Sequence, residues 1–251
     1  MKKKDSAVSR VANRIRDDVV KLADGELLGS EEELVARYEV SRPTLRQAAA
    51  LVVQEHLLGV RRGVGGGYFA RAPQAKAVSR MAALYLKFHH ARLGEILAAF
   101  MPIRVELASL AAANEDPVKR AGLAEFLEQE EAIETYGSFR EFVLAERRFN
   151  LLLGSLGNNS ALGLFMEILL DLSGMIDRSD DMYRAHPDRV EHLRRERNAL
   201  AKAVLEGEEE FAVIIARRAS RLSSQWHQDD LAQRGSGNSS SDLIRTLSAA
   251  S

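Results

Sequence analysis

The sequence predicts a mainly α-helical protein with two domains: an N-terminal winged helix-turn-helix with a small β-hairpin, and a C-terminal antiparallel all-helical bundle. Residues 30–69 contain two short amphipathic helices, a turn between them and a glycine-rich hairpin, in that order. Beyond Pro73 the apolar residues repeat with helical spacing, and no segment alternates as a strand would. We therefore expect a winged helix-turn-helix at 1–72, a linker helix at 73–92, a helical domain at 93–232 and a flexible tail at 233–251.

The first helix of the motif begins at Ser30. Its hydroxyl can cap the helix, and Glu33, three residues later, completes a capping box. The apolar side of this helix consists of Leu34, Val35 and Tyr38. An earlier apolar stripe predicts a supporting helix from Val8 to Leu22, and residues 39–41 form the turn to the next helix.

The second helix begins at Ser41, whose side chain can cap it. Pro43 lies in its first turn, where a missing N–H costs nothing. One face of this helix is predicted to be buried, namely Leu45, Ala49, Val52 and Val53. We expect the helix to end at Gly59. The hairpin follows, with its first strand at 60–62 and its second at 68–69.

The exposed N-terminal end of the second helix carries side chains of the kind that read double-stranded DNA. A helix fits the major groove, where Arg can bond bidentately to guanine and Gln to adenine. Arginines on the hairpin would contact the backbone or the minor groove. The predicted DNA-binding residues are Ser30, Ser41, Arg42, Thr44, Arg46, Gln47, Arg61, Arg62, Gly63, Gly65 and Gly66. The alternative is that these arginines form only a solvated surface.

These residues also carry a family resemblance. The stretch 27–70, with its SRPTLRQA block and its arginine- and glycine-rich hairpin, resembles the DNA-binding domain of the GntR superfamily of bacterial regulators. The resemblance implies a regulator, most often a repressor, that binds a pseudo-palindromic operator as a homodimer. One residue departs from the family pattern. Where the family usually has an arginine that touches a DNA phosphate, this chain has Glu32.

The charge of the whole chain is nearly balanced, but its parts differ. The formal net charge is −1, from 35 Lys and Arg against 36 Asp and Glu. Residues 1–72 carry 13 basic and 10 acidic residues, giving +3, and the remainder carries 22 and 26, giving −4. The positive excess therefore falls on the domain expected to bind DNA.

Composition and motifs exclude several other classes of protein. The chain has no cysteine, which excludes disulfides, a thiolate nucleophile and cysteine metal sites. Its basic start lacks the apolar segment of a secretory signal, and no run reaches the ~20 apolar residues that span a bilayer, so we expect a cytoplasmic protein. There is no G-x-S-x-G or H-E-x-x-H motif, and we do not expect an enzyme.

Beyond the hairpin, glycine, asparagine and proline separate a series of helical runs. We expect a linker helix at 74–90, and then a helix through Ile96 and Leu107 that Pro102 starts or kinks. Further helices are predicted at 117–133, 138–156, 160–176, 187–206 and 208–230.

The helical domain resembles the ligand-binding domain of the FadR subfamily. The resemblance rests on the segments MPIRVELASLAA, FNLLLGSLGNNSALGLF and ERNALAKAVLEGEEEFAV. Many members of that subfamily hold a divalent metal with one Asp and three His. At the matching positions this chain has Glu146, Asn150, Arg197 and Ala219. Because Arg and Ala cannot replace those ligands, we expect no metal and no other cofactor.

The metal-free branch of the subfamily includes a fatty-acid regulator that responds to long-chain acyl-CoA, and this chain resembles it in lacking the histidines and in its late Trp226. We expect an acyl-CoA or a small organic acid in the helical domain, with Arg197 meeting its negative charge. The predicted ligand-binding residues are Arg104, Glu146, Asn150, Arg197 and Trp226. In the alternative, Arg197 pairs with Glu146 and the domain serves only dimerisation or partner binding.

Overall fold

The computed structural model describes residues 6–63, 65–174 and 186–233. The chain divides into two units, Met1–Gln74 and Ala75–Ser251. The described residues of the first unit form three helices and a three-stranded sheet, and those of the second form helices only. The predicted mainly α-helical fold class is confirmed. The predicted tail at 233–251 lies outside the described residues except for Gln233.

The first unit is built around the packing of its first helix on its third. Its helices are α1 (Ala7–Val19), α2 (Glu31–Tyr38) and α3 (Arg42–Gln54). Residues of α1 and α3 that face each other are fully buried, namely Val11, Ala12, Ile15 and Val19 with Leu45, Ala48, Ala49 and Val52. Val53, which we expected on this face, is exposed, because it follows Val52 by about 100° around the helix. Helix α1 also ends at Val19, earlier than the predicted Leu22.

Helix α3 ends at Gln54, so the prediction that Gly59 ends it is wrong. His56 adopts a left-handed backbone conformation with φ of 61°. The N–H of Leu57 then bonds the carbonyl of Val52 at 3.2 Å, a pattern that closes a helix. Gly59 instead lies in the following strand.

The sheet of the first unit contains the predicted hairpin and one additional strand. Its strands are β1 (Leu27–Gly29), β2 (Leu58–Arg61) and β3 (Gly67–Ala70), in the order β1-β3-β2, with both pairs antiparallel. Val60 lies opposite Tyr68 in the hairpin. The sequence did not predict β1, because three residues are too few to show the alternation of a strand.

Polar contacts fix α2 against α1. The guanidinium of Arg14 donates to the carbonyl oxygens of Arg37 and Tyr38, at 3.1 and 3.3 Å, at the end of α2. The hydroxyl of Tyr38 donates to Asp18 at 2.9 Å. These bonds hold the end of α2 against α1, and α2 also packs directly on α3.

The second unit is a set of helices around α5. Its described helices are α4 (Ala75–Phe88), α5 (Leu93–Ala112), α6 (Pro117–Glu131), α7 (Phe139–Leu156), α8 (Ser160–Gly174), α9 (Pro187–Glu206) and α10 (Glu209–Gln233). Helix α5 packs on α7, α8, α9 and α10. Pro102 lies inside α5 and does not start it. The predicted helical end at 176 lies outside the described residues.

Gly157 at the end of α7 allows that helix to lie close to α5. A Cβ atom at this position would lie 2.6 Å from Cδ2 of Leu107, which is fully buried. The core around Leu107 includes Phe126 of α6 and Phe149 of α7, whose rings lie 5.8 Å apart. A side chain at Gly157 would therefore displace part of this core.

Among the described helices, none is by itself long and apolar enough to cross a membrane. Helices α5 and α6 meet such a test of length and composition only when taken together, and they are bent by 116° at the break between them.

Substitution of Leu45 tests the packing of α1 on α3. Leu45 is fully buried in α3, whereas Leu51 on the same helix is exposed. We expect Leu45→Ala to lower the free energy of unfolding of the first unit by about 2–5 kcal/mol, because it leaves a cavity. Leu51→Ala is the matched control and should cost much less. Hydrogen exchange of the α3 amides in urea measures both losses, and equal losses would contradict this packing.

Candidate functional site

The start of α3 presents a polar and basic surface away from the core. The hydroxyl of Ser41 accepts the N–H of Thr44 at 3.4 Å and so caps the helix, and it lies 2.9 Å from the Thr44 hydroxyl. Arg42 and Arg46 are 60% and 67% exposed, and Gln47 is exposed as well. These three predicted DNA-binding side chains are therefore accessible at one end of one helix, whereas Thr44, which was also predicted to be exposed there, is half-buried.

Two acidic residues of α2 bind these arginines. Arg46 donates through Nε and Nη2 to the two carboxylate oxygens of Glu31, both at 2.9 Å. Arg42 donates through Nη2 to Glu32 at 3.0 Å. The hydrogen bonds from Arg46 hold the pKa of the Glu31 carboxyl below its usual value. The sequence analysis did not predict that Glu31 pairs with an arginine of α3. Its place in the first turn of α2, directly after the cap at Ser30, was the one signal that could have drawn attention to it.

The start of α2 is fixed by the predicted capping box. The hydroxyl of Ser30 accepts the N–H of Glu33 at 3.3 Å, and the Glu33 carboxylate accepts the N–H of Ser30 at 2.8 Å. Ser30, a predicted DNA contact, thus uses its hydroxyl within the chain. The capping box also fixes the position of Glu31, which directly follows the cap.

The hairpin carries the other predicted arginines. Arg61 and Arg62 are exposed at the end of β2. The guanidinium of Arg61 lies over the ring of Phe69, with Cζ 4.3 Å from the ring centre. This stacking restrains Arg61 while its charge stays accessible to an anion.

Glycines shape the tip of the hairpin. Gly63 and Gly65 have φ of 96° and 74°, a region that favours glycine. A Cβ atom at Gly66 would lie 2.5 Å from the carbonyl oxygen of Arg61. These three predicted site residues therefore make the tight turn that holds the two arginines at the end of β2.

The second unit contains a buried charged cluster around Arg197 of α9. Its side chain is 0% exposed. It donates to Glu146 of α7 at 3.1 Å, to the hydroxyl of Tyr136 at 2.6 Å and to Glu130 of α6. Tyr136 in turn donates to Glu130. The predicted alternative, in which Arg197 pairs with Glu146 inside the domain, describes this arrangement.

Arg197 keeps its positive charge in this cluster. Burial works to lower the pKa of Arg197, but Glu146, Tyr136 and Glu130 outweigh burial and raise the pKa. Burial and the hydrogen bond to Glu130 raise the pKa of the Tyr136 hydroxyl, which stays protonated and can donate. Sequence reasoning missed Glu130. The usable signal was its place on the apolar stripe formed by Leu123, Phe126 and Leu127.

A cavity of about 270 Å³ lies among α5, α7, α8, α9 and α10. Its apolar wall includes Leu97, Phe100, Phe142, Val143 and Leu170. Its polar wall includes Arg104, Glu146, Arg147, Asn150, Ser220 and His227. An apolar chamber with a few converging polar groups is the usual form of a small-molecule site.

Three of the five predicted ligand-binding residues line this cavity: Arg104, Glu146 and Asn150. The amide of Asn150 donates to the carbonyl of Glu146 at 2.8 Å, and its buried Oδ1 accepts no hydrogen bond. Arg197 and Trp226 do not line the cavity. Trp226 lies edge-on to His192, with ring centres 5.8 Å apart.

The positions that the subfamily resemblance assigns to a metal do not fit one. The guanidinium of Arg197 binds the carboxylate of Glu146, and Ala219 offers no ligand atom. Within the described ranges, no three His, Cys, Asp or Glu side chains are placed to hold a metal ion.

Comparison with known proteins matches both units. The family described as "Bacterial regulatory proteins, gntR family" matches residues 7–66, and the FCD domain matches residues 95–221. No curated protein sequence matches the chain. Streptococcus agalactiae GntR has a similar structure, with a TM-score of 0.68 and 17% identity over 87% of this chain and 99% of that one. This likeness shows the fold.

Two further solved structures are more distant. E. coli McbR/YncC has a TM-score of 0.45 and 15% identity, over 91% of this chain and 100% of that one. A GntR family member from Pseudomonas syringae pv. tomato str. DC3000 has a TM-score of 0.42 and 18% identity, over 92% and 89% of the two chains.

Removal of Arg197 tests the buried cluster. We expect Arg197→Met to lower the free energy of unfolding of the second unit by about 3–5 kcal/mol, because two carboxylates lose their cation in a buried site. The matched control is Arg195→Met on the same helix, where an exposed Arg pairs with Glu191 and should contribute less than about 1 kcal/mol. Urea unfolding followed by the fluorescence of Trp226, the single tryptophan, measures both. Similar losses in the two variants would show that the cluster does not stabilise the fold.

Proposed function

Because the chain belongs to the gntR family of bacterial regulatory proteins and carries an FCD domain, we propose that it controls transcription as a homodimer that binds a pseudo-palindromic operator. The family members it resembles are transcription regulators and not enzymes. In the proposed mechanism, the two copies of α3 enter successive major grooves. A small effector that binds the helical domain then changes the affinity for the operator. In the simplest case the effector lowers this affinity and relieves repression in the cytoplasm.

The accessible end of α3 is the observation that carries this proposal. Arg42, Arg46 and Gln47 point away from the core at the start of a capped helix, where base edges are read. The hairpin places Arg61 and Arg62 beside a glycine turn, which suits contact with the backbone or the minor groove. Base contacts would then come from α3, and phosphate contacts from the hairpin.

Arginine substitutions separate these two roles. We expect Arg46→Ala to lower the preference for operator over random DNA by about 1–3 kcal/mol, because it removes a base contact. Arg61→Ala should weaken binding to every sequence, because it removes a phosphate contact. The slope of the logarithm of the binding constant against the logarithm of the salt concentration should become shallower by about one unit. The measurement is fluorescence anisotropy with a duplex selected by the full-length protein from a random library, and with a scrambled duplex.

Each arginine variant serves as the control for the other. An equal loss on selected and scrambled DNA for Arg46→Ala would contradict its role in base reading. Failure of the wild-type protein to select any sequence would contradict the proposed function itself.

For the effector, we propose a small organic acid with an apolar body, bound in the cavity of the second unit. The cavity of about 270 Å³ lies just below the usual range of small-molecule sites, so it would enclose only part of an acyl-CoA. Arg104 supplies a buried positive charge at its wall. The Oδ1 atom of Asn150 is an acceptor for a hydroxyl or amine on the same molecule, since a buried acceptor gains by being satisfied.

Thermal unfolding with added acids tests the effector proposal. We expect octanoate or benzoate to raise the unfolding temperature, because a ligand that binds only the folded state stabilises it. Arg104→Gln should lose this response. Arg140→Gln, which removes an exposed charge from α7, is the matched control and should keep it. A response to octanoyl-CoA alone would contradict the size argument. No response to any acid would favour a helical domain that serves only dimerisation or partner binding.

A further inference from the structure

Glu31 lies against the side chain that is proposed to read bases. It is the first residue of α2, and its two carboxylate oxygens accept two hydrogen bonds from Arg46 of α3. The same carboxylate lies 3.9 Å from Nε of Arg42. The partners Glu31 and Arg46 are 15 residues apart in sequence, and they join two helices.

The geometry of this pair leaves three of the five N–H groups of the Arg46 guanidinium unused by Glu31. Glu31 accepts from Nε and Nη2, which form one edge of the planar group. A guanidinium carries five N–H donors in a fixed plane, so two N–H groups of Nη1 and one of Nη2 remain. A guanine offers O6 and N7 as paired acceptors in the major groove. Arg46 can therefore bind Glu31 with one edge and a guanine with another.

We propose that Glu31 is a positioning residue for base reading: it holds the Arg46 guanidinium so that the remaining edge faces a guanine, and it thereby sets the sequence preference of the protein. This inference rests on the proposed DNA-binding function. Without Glu31, the long arginine side chain would have to be ordered at the moment of binding, and that ordering disfavours the complex. A mobile Arg46 would also reach phosphates of any sequence, which raises non-specific binding.

A carboxylate near DNA also repels phosphates, so the two effects must be separated. Repulsion acts on every sequence alike and leaves the ratio of specific to non-specific affinity unchanged. Positioning changes that ratio. Glu32 is the matched control, because it is the next residue, carries the same charge and makes only one hydrogen bond to Arg42 from a side chain that is 82% exposed.

The experiment compares Glu31→Gln with Glu32→Gln in the full-length protein. Both variants lose one negative charge, and Gln keeps the side-chain size while offering one acceptor oxygen instead of two. We measure the affinity for the duplex that the wild-type protein selects and for a scrambled duplex, at one salt concentration. Glu31→Gln should lower the ratio of the two affinities at least about fivefold, the smallest loss expected when a bidentate base contact is disturbed. Glu32→Gln should raise both affinities and leave the ratio within about twofold, since it removes one repelling charge and disturbs only a single exposed hydrogen bond to Arg42.

A double variant tests whether Glu31 acts through Arg46. If it does, Glu31→Gln combined with Arg46→Ala should lower the ratio no further than Arg46→Ala alone. Arg46→Lys keeps the charge but cannot bond both partners in one plane, so it should lower the ratio while random DNA is still bound. Circular dichroism melting checks that each variant is folded.

Two outcomes would overturn the inference: equal ratios for Glu31→Gln and wild type, or losses that add in the double variant. Both differ from failure of the proposed function, in which the wild-type protein would show no preference among sequences at all.

Discussion

The burial of one face of α3 against α1 is the constraint on which the first unit depends. Leu45, Ala48 and Ala49 are in the core, and the helical rotation of about 100° per residue then turns Arg46 and Gln47 outward. The apolar contact therefore does more than stabilise the unit. It determines which side chains are presented at the start of α3, and it orients them together because they share one rigid helix.

The second unit combines a buried charge with a cavity, and one residue belongs to both. Glu146 lines the cavity and also accepts a hydrogen bond from Arg197. Arg197 in turn bonds Glu130 and Tyr136. Buried charges are tolerated only when they are paired and hydrogen-bonded, so this cluster restrains α6, α7 and α9 relative to one another. A molecule that displaced Glu146 would disturb the pairing of Arg197. The cavity and the charged cluster are thus physically connected.

Acidic residues of the same unit partly neutralise the positive charge at the start of α3. Glu31 and Glu32 pair with Arg46 and Arg42, although a nucleic-acid surface gains affinity from every unopposed positive charge. The small excess of +3 over residues 1–72, from 13 basic and 10 acidic residues, reflects the same balance. In the proposed complex with DNA, such an arrangement would weaken general attraction to phosphates and leave a larger share of the binding to directed contacts.

The sequence alone determined those features that depend on neighbours a few residues away. The caps at Ser30 and Ser41 and the hairpin around the glycine turn were all predicted correctly, because each is made by hydrogen bonds within a short segment. Two other predictions were wrong. Val53 was predicted to be buried but lies just outside the buried face of α3. The end of α3 was placed too late, because His56 adopts a left-handed conformation that the sequence does not reveal. The sequence offered Glu146 as a partner of Arg197, but only the tertiary structure decided the other partners of the charged groups. Arg197 meets Glu130 across 67 residues, and helix packing alone brings such groups together.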